Sequence, residues 1–174
     1  MKIKKMFILL FLSSTTVSTV AQVKSRVELR EERKLANQQQ IDVLVNSKMF
    51  VFVARMALPQ GFRNMDLTSN PNYIQFHPQT IKSEMPFFGR AFSAIGYGLD
   101  GGLNFEGTPE EFTIEKAKKS YLIKAVVKGE KDTYRMNLSV FRNGSATLSI
   151  SSNNRSTISY NGEIKPLEAK ESKL

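Results

Sequence analysis

The sequence predicts a mainly β (α+β) fold: an antiparallel meander forming a partly open β-barrel or sandwich, preceded by an N-terminal helix. Three observations carry this expectation. From Met49 to Tyr160 apolar residues recur with a period of two in run after run, the spacing of half-buried strands. Glycine, proline, asparagine and aspartate interrupt those runs at short intervals, so the connections read as hairpins and tight loops. A long stretch of good helix formers, without Gly or Pro, lies ahead of the first strand.

Taken in order, residues 1–21 read as a cleavable signal peptide. Lys2, Lys4 and Lys5 make a positive start and Met6–Leu12 an apolar core; Ser13–Ala21 is small and polar, and its Thr19-Val20-Ala21 suits cleavage before Gln22. A membrane anchor needs roughly 20 mostly apolar residues, and Ser13-Ser14-Thr15-Thr16 interrupts too early. With no cysteine after the apolar core, lipid attachment is excluded. The expected address is the periplasm or cell surface of a Gram-negative bacterium, with no integral membrane segment in the mature chain.

Residues 22–47 are the helical lead-in. The apolar stripe is thin (Val27, Leu29, Ala36, Ile41, Leu44, Val45), so only the second half is expected to dock on the core. The first half reads as extended or frayed.

Residues 48–164 form the β-rich domain. Phe50, Phe52, Ala54, Met56 and Leu58 alternate with Val51, Val53, Arg55 and Ala57. Both faces are fairly apolar, which suggests a strand covered on both sides, with the helix as one cover. Pro59-Gln60-Gly61 ends that strand. Tyr73–His77, Ile81–Met85, Gly101–Phe105 and Glu111–Ala117 follow, the last with Phe112 and Ile114 inward. The clearest signal is a C-terminal meander. Ser120–Lys128 carries Tyr121, Ile123, Ala125 and Val127 on one face, and Thr133–Phe141 carries Tyr134, Met136, Leu138 and Val140. Ala146, Leu148 and Ile150 follow, then Ile158 and Tyr160.

The register of one hairpin can be derived. A two-residue Asn143-Gly144 turn would pair Val140 with Thr147 and throw the two apolar rows onto opposite faces. A three-residue loop, Arg142-Asn143-Gly144, pairs Val140 with Ala146, Leu138 with Leu148 and Met136 with Ile150. The pattern therefore selects the three-residue loop, with glycine in the left-handed bulge position. Residues 165–174 are polar and charged and read as a disordered tail.

Composition narrows the function. The formal net charge of +9 falls to +6 once Lys2, Lys4 and Lys5 leave with the signal peptide. The remaining charges are mixed: Arg26, Arg30, Arg33 and Lys34 lie among Glu28, Glu31 and Glu32, not on one basic face, so nucleic acid is not an expected partner. There is no cysteine and one histidine, His77, so the usual zinc sites and Cys–His pairs are out. No metal, no cofactor and no catalytic residue is assigned. The only enzymatic equipment would be carboxylates near Asp100, Glu106, Glu110 and Glu111, as a glycan hydrolase needs two facing one cleft.

The most unusual stretch is Met85–Gly107, which sets Phe87, Phe88, Phe92, Tyr97 and Phe105 among six glycines with one cation, Arg90. One reading is a bent strand pair whose aromatics fill the core. The other is the rim of an apolar pocket with one placed cation, as a lipid or carboxylate site requires, with Phe87, Phe88, Arg90 and Tyr97 as its ligand-binding residues.

At these residues the chain resembles a known family. Leu58-Pro59-Gln60-Gly61, then Met85-Pro86-Phe87-Phe88-Gly89-Arg90-Ala91-Phe92, then Gly101-Gly102-Leu103-Asn104-Phe105, then Asn143-Gly144 and Asn154 to Gly162 are similar to exported Bacteroidetes proteins grouped as domain of unknown function 4251. The likeness spans about Lys48 to Ile164 and implies export in a bacterium. It supplies no catalytic or binding residues.

The expectation is a non-enzymatic exported binding protein, lipocalin-like, whose partner is a small apolar or amphipathic ligand. The alternative is a structural or interaction module partnering an envelope protein. A carboxylate-dependent glycan hydrolase comes third.

Overall fold

The computed structural model describes residues 25–69, 72–92, 101–130 and 132–167. The signal peptide, Tyr97, Asp100 and the tail from residue 168 lie outside the described residues. One helix, α1 (Arg26–Ser47), precedes strands β1 (Phe50–Pro59), β2 (Met65–Asp66), β3 (Tyr73–Phe76), β4 (Ile81–Met85) and β5 (Leu103–Gly107). Then come β6 (Pro109–Lys116), β7 (Ser120–Lys128), β8 (Thr133–Phe141), β9 (Ser145–Ser152) and β10 (Ile158–Pro166).

The first half of α1, expected to be extended or frayed, is helical. Ser25 and Glu28 cap it reciprocally: the Glu28 amide donates to Ser25 Oγ at 3.2 Å and the Ser25 amide to Glu28 Oε2 at 2.9 Å. From Arg33 onward the helix shares a compact unit with the strands, and there it buries Ile41 and Val45. It ends at Lys48, which takes the left-handed conformation (φ 56°), with its amide bonded to the Val45 carbonyl.

The strands form an antiparallel meander in the spatial order β5-β4-β3-β1-β10-β9-β8-β7-β6, with the short β2 added beside β1. β5 and β6 are the two ends of that order yet are joined through Thr108 alone, and successive antiparallel pairings make them run in the same direction. They are halves of one bent strand, the first paired with β4 and the second with β7, so the sheet curls into a nearly closed barrel. Phe105 of β5 stacks on Tyr134 of β8 at 4.1 Å across this seam. The barrel resolves the earlier choice between barrel and sandwich.

The β8–β9 hairpin has the derived register, Val140 opposite Ala146, Leu138 opposite Leu148 and Met136 opposite Ile150, with Gly144 at φ 86°. β1 departs from simple alternation. Its pairing with β10 slips between Ala54 and Met56, and this bulge at Arg55 turns Ala57 inward and Met56 outward. The bulge also brings the backbones so close at Gly162 that a Cβ there would overlap the Val53 carbonyl oxygen. Nor does the helix cover the outer face of β1, where Val51 and Val53 are half-buried. Instead α1 lies against one end of the barrel: Ile41 Cδ1 sits over Gly144, Asp42 pairs with Lys116 at 3.3 Å, and Lys48 Nζ stands 5.2 Å from the Phe112 ring. β10 runs on to Pro166, well past the Tyr160 at which its apolar alternation stops being readable.

The core is the barrel interior. Phe50, Phe52, Ile74, Phe76, Ile81, Leu138, Leu148 and Tyr160 have at most 1% of their surface accessible. Phe50 stacks on Phe76 at 4.6 Å, and Phe112 meets Phe76 edge-on at 6.3 Å. Side chains without accessible surface line no space that water can enter, so these residues fill the barrel as packed core.

Candidate functional site

The end of the barrel away from the helix is closed by a strap, residues 86–92, that continues from β4. Glycine and proline release it from the sheet, and it crosses to the β9–β10 connection. There Ala91 and Arg155 form an antiparallel bridge. The Phe92 amide donates to the Asn154 carbonyl at 2.8 Å and the Ser156 amide to the Arg90 carbonyl at 2.9 Å, while the Arg90 amide donates to Ser156 Oγ at 3.1 Å. The strap is also fixed from below. Tyr160, buried in the barrel, donates its hydroxyl to the Pro86 carbonyl at 2.7 Å.

Arg155 is the cation that meets the strap's aromatic ring. Its Nη1 donates to the carbonyls of Gly101 and Gly102 at 3.2 and 2.7 Å, and its guanidinium carbon lies 5.1 Å from the Phe87 ring centroid. Asp132 Oδ1 accepts the amides of Thr133 and Asn153 at 2.8 and 3.0 Å, and its Oδ2 that of Asn154 at 3.3 Å, which shapes the loop carrying Arg155. Burial pushes the Tyr160 phenol far above its ordinary range, with the Arg155 charge opposing that shift. Tyr134 is raised by burial and then by the charge of Asp132.

The helix-covered end carries a second polar group. The Tyr121 hydroxyl holds Asp42 below the usual carboxylate range, helped by Lys116 and Arg142. That hydroxyl meets no partner in full hydrogen-bond geometry, so its hold on Asp42 is one of proximity. These groups fasten the helix to the barrel; they frame no cleft.

Of the residues singled out from the sequence, Phe87, Phe88 and Arg90 lie together on the strap, and Tyr97 is outside the described residues. Phe87 and Phe88 are half-buried against the core, and Arg90 is exposed and bonded through its backbone. The cation over the aromatic is Arg155, which sequence reasoning missed. Its signal is long-range, a strap paired with a residue 64 positions further along the chain, and nothing in the local run Asn153-Asn154-Arg155-Ser156 announces it. The candidate carboxylates Glu106, Glu110 and Glu111 are exposed, with Glu106 opposite Lys82 on the outer face. His77 closes the β3–β4 turn through its amide, bonded to the Thr80 carbonyl at 2.9 Å. Among the described residues no three His, Cys, Asp or Glu side chains gather as metal ligands, and no helix is long and apolar enough to cross a membrane.

Comparison with known proteins places the fold. A crystal structure at 1.95 Å of a DUF4251 family protein from Bacteroides eggerthii superposes with a TM-score of 0.59. It is 18% identical in sequence, and the match covers 75% of this chain and 88% of the other. No curated protein matches the chain. The family described as a domain of unknown function (DUF4251) matches over residues 32–164, from the middle of α1 to β10. Strap, Arg155 loop and all of the barrel but the last two residues of β10 fall within that span, and the chain belongs to the DUF4251 family.

Proposed function

We propose that this domain is an exported, non-enzymatic binding module that takes an apolar or amphipathic ligand at the strap-closed end of its barrel. One observation carries the reading: Phe87 and Phe88 lie half-buried on the strap beside a guanidinium, over a core that is already full. The packed interior argues against a lipocalin-type seat among the described residues. The ligand's apolar body instead lies against Phe87, Phe88 and Phe92, a residue that is 68% exposed. The test is titration of a fluorescent fatty-acid probe into the mature chain. Saturable binding is expected, with Phe87→Ala and Phe88→Ala each weakening it about tenfold, the scale of one lost aromatic contact. No saturable binding across a range of chain lengths would remove the reading.

A second reading, an interaction module of the bacterial envelope, draws on Leu35 and Val43, which are 59% and 71% exposed on α1. Val43 lines a groove together with Ala36, Gln40, Leu44, Ile164 and Pro166. Deleting the helix would take Ile41 and Val45 from the core, so substitution is the proper probe. If the mature chain sediments as a dimer that Val43→Glu returns to monomer, this reading gains; a monomer throughout counts against it.

A further inference from the structure

Resting on the ligand-binding reading, we infer that the Nε–Nη2 edge of Arg155 is a seat for the oxyanion head of the ligand, a carboxylate or phosphate borne on an apolar chain. A guanidinium carries five N–H donors in a fixed planar fork. Among the described residues, both side-chain hydrogen bonds of Arg155 leave from Nη1, to the Gly101 and Gly102 carbonyls. Phe87 occupies its face. Among the described residues, no protein acceptor meets Nε or Nη2, and no carboxylate forms an ion pair with this side chain. The edge left over is the one that offers two parallel N–H bonds, the arrangement that carboxylates and phosphates accept bidentately.

The neighbours leave that edge to an outside anion. Asp132, the carboxylate beside the Arg155 loop, is engaged by three backbone amides. Arg135 donates to Asn153 Oδ1 at 3.0 Å, which keeps a second cation near without neutralising the first. Arg155 is half-buried and its guanidinium is held by a ring and two carbonyls, so an incoming anion orders little that is not ordered. Phe87 then continues from the cation along the strap, an apolar wall for the first methylenes next to the head.

The experiment compares dodecanoate, dodecyl phosphate and dodecanol on the mature chain by displacement of the fluorescent probe, with acetate and inorganic phosphate as heads without chains. Both charged ligands are expected to bind at least about tenfold more tightly than the alcohol, the scale of a charge-assisted pair. The tighter of the two names the head, and acetate or phosphate alone binding as well as the chains would overturn the amphipathic assignment. Arg155→Lys, which keeps the charge and loses the fork, is expected to cut acid affinity about tenfold and leave dodecanol unchanged. Arg90→Gln should leave all three unchanged; a loss there, with Arg155→Lys silent, would overturn the choice of residue. If acid and alcohol bind the wild type equally, the anion seat falls while the binding reading stands. If no chain binds, both fall. The wild-type comparison decides even where an Arg155 variant fails to fold.

Discussion

Replacing Tyr160 with phenylalanine removes a single oxygen from the junction between barrel and strap. The ring stays, so packing beside its strand partners Ala57 and Leu148 is little altered; the hydrogen bond to the Pro86 carbonyl is what goes. Such a bond contributes about 1 kcal/mol net, and an acceptor left dry adds up to about as much again. Pro86 is half-buried and partly rehydrates, which puts the loss near 1.5 kcal/mol, or about 0.5–1 M in the urea midpoint. The loss should be concentrated in the strap: hydrogen exchange of the Phe92 and Ser156 amides, which bond strap to loop, should accelerate more than that of the β7–β9 amides. The pH dependence gives a second check. Burial raises the Tyr160 pKa, so an unfolded chain ionises this phenol from about pH 10 while the folded chain retains the proton. Stability is then full below pH 10 and declines above it, by up to about 1.4 kcal/mol per pH unit for each such tyrosine. Tyr73, raised by burial and by Glu84, and Tyr134 add to the wild-type slope and remain in the variant. The gap between wild type and Tyr160→Phe should therefore be constant to pH 10 and narrow beyond it. A midpoint shift below about 0.3 kcal/mol, or a gap that does not narrow, would refute the tether.

Asn72→Ala should cost about 2–4 kcal/mol, because the buried Asn72 Nδ2 serves the carbonyls of both Ala54 and Leu67; Asn72→Asp should cost at least as much, and a urea midpoint change under about 1 kcal/mol would sink the assignment. Gly162→Ala forces β1 and β10 apart, since its Cβ would also come within 2.9 Å of Ala54 Cα, and thermal unfolding should show about 3 kcal/mol lost. Gly61→Ala, with open space around it but φ 77°, should lose only about 1 kcal/mol in the same assay. Asp42 is depressed below its ordinary 3.8 by Tyr121 and Lys116, so its contribution is present above that value and fades as pH falls below it. Asp42→Asn should abolish that acid-side loss, about 0.5 kcal/mol for so exposed a pair, in denaturation between pH 5 and 2.

What the sequence made legible was whatever is local. Strands β7 to β9 and their register follow from period-two patterns and one glycine turn, because each residue's face depends on neighbours a few positions away. The Arg55 bulge was not legible: Val51 to Leu58 is apolar on both phases, so nothing in the pattern marks where the alternation slips. The missing signal lies on the partner strand, where Gly162 allows the close approach, and a single strand read alone cannot reveal its partner. The cap at Ser25 and Glu28 has a Ser-x-x-Glu spacing, but the thin apolar stripe of the lead-in hides it, and reading by that stripe alone gives a frayed start. The end of β10 was hidden for another reason. Asn161, Gly162 and Glu163 look like a turn, and only pairing on both sides, to β1 and β9, makes them strand.

The candidate site follows the same division. An aromatic, glycine-rich run with one arginine, Arg90, reads either as a bent strand pair whose aromatics fill the core or as the rim of a pocket with that arginine as its cation. Folding adds a second arginine to that choice. A strap that bonds through its backbone turns alternate side chains up and down, and Arg90 uses its amide and carbonyl on Ser156 while its side chain stays in solvent. The bridge at Ala91 meanwhile brings in a residue from a distant loop, and that residue is the arginine that stacks on Phe87. Aromatic and cation thus come from two segments joined only by tertiary pairing. Strap and loop must therefore be docked before the pair exists, so the Tyr160–Pro86 bond belongs to the site as much as to the fold. Loosening that bond should weaken an acid ligand more than it destabilises the barrel. A Tyr160→Phe protein with a softened strap and undiminished preference for dodecanoate over dodecanol would show that the cation and the ring do not act together.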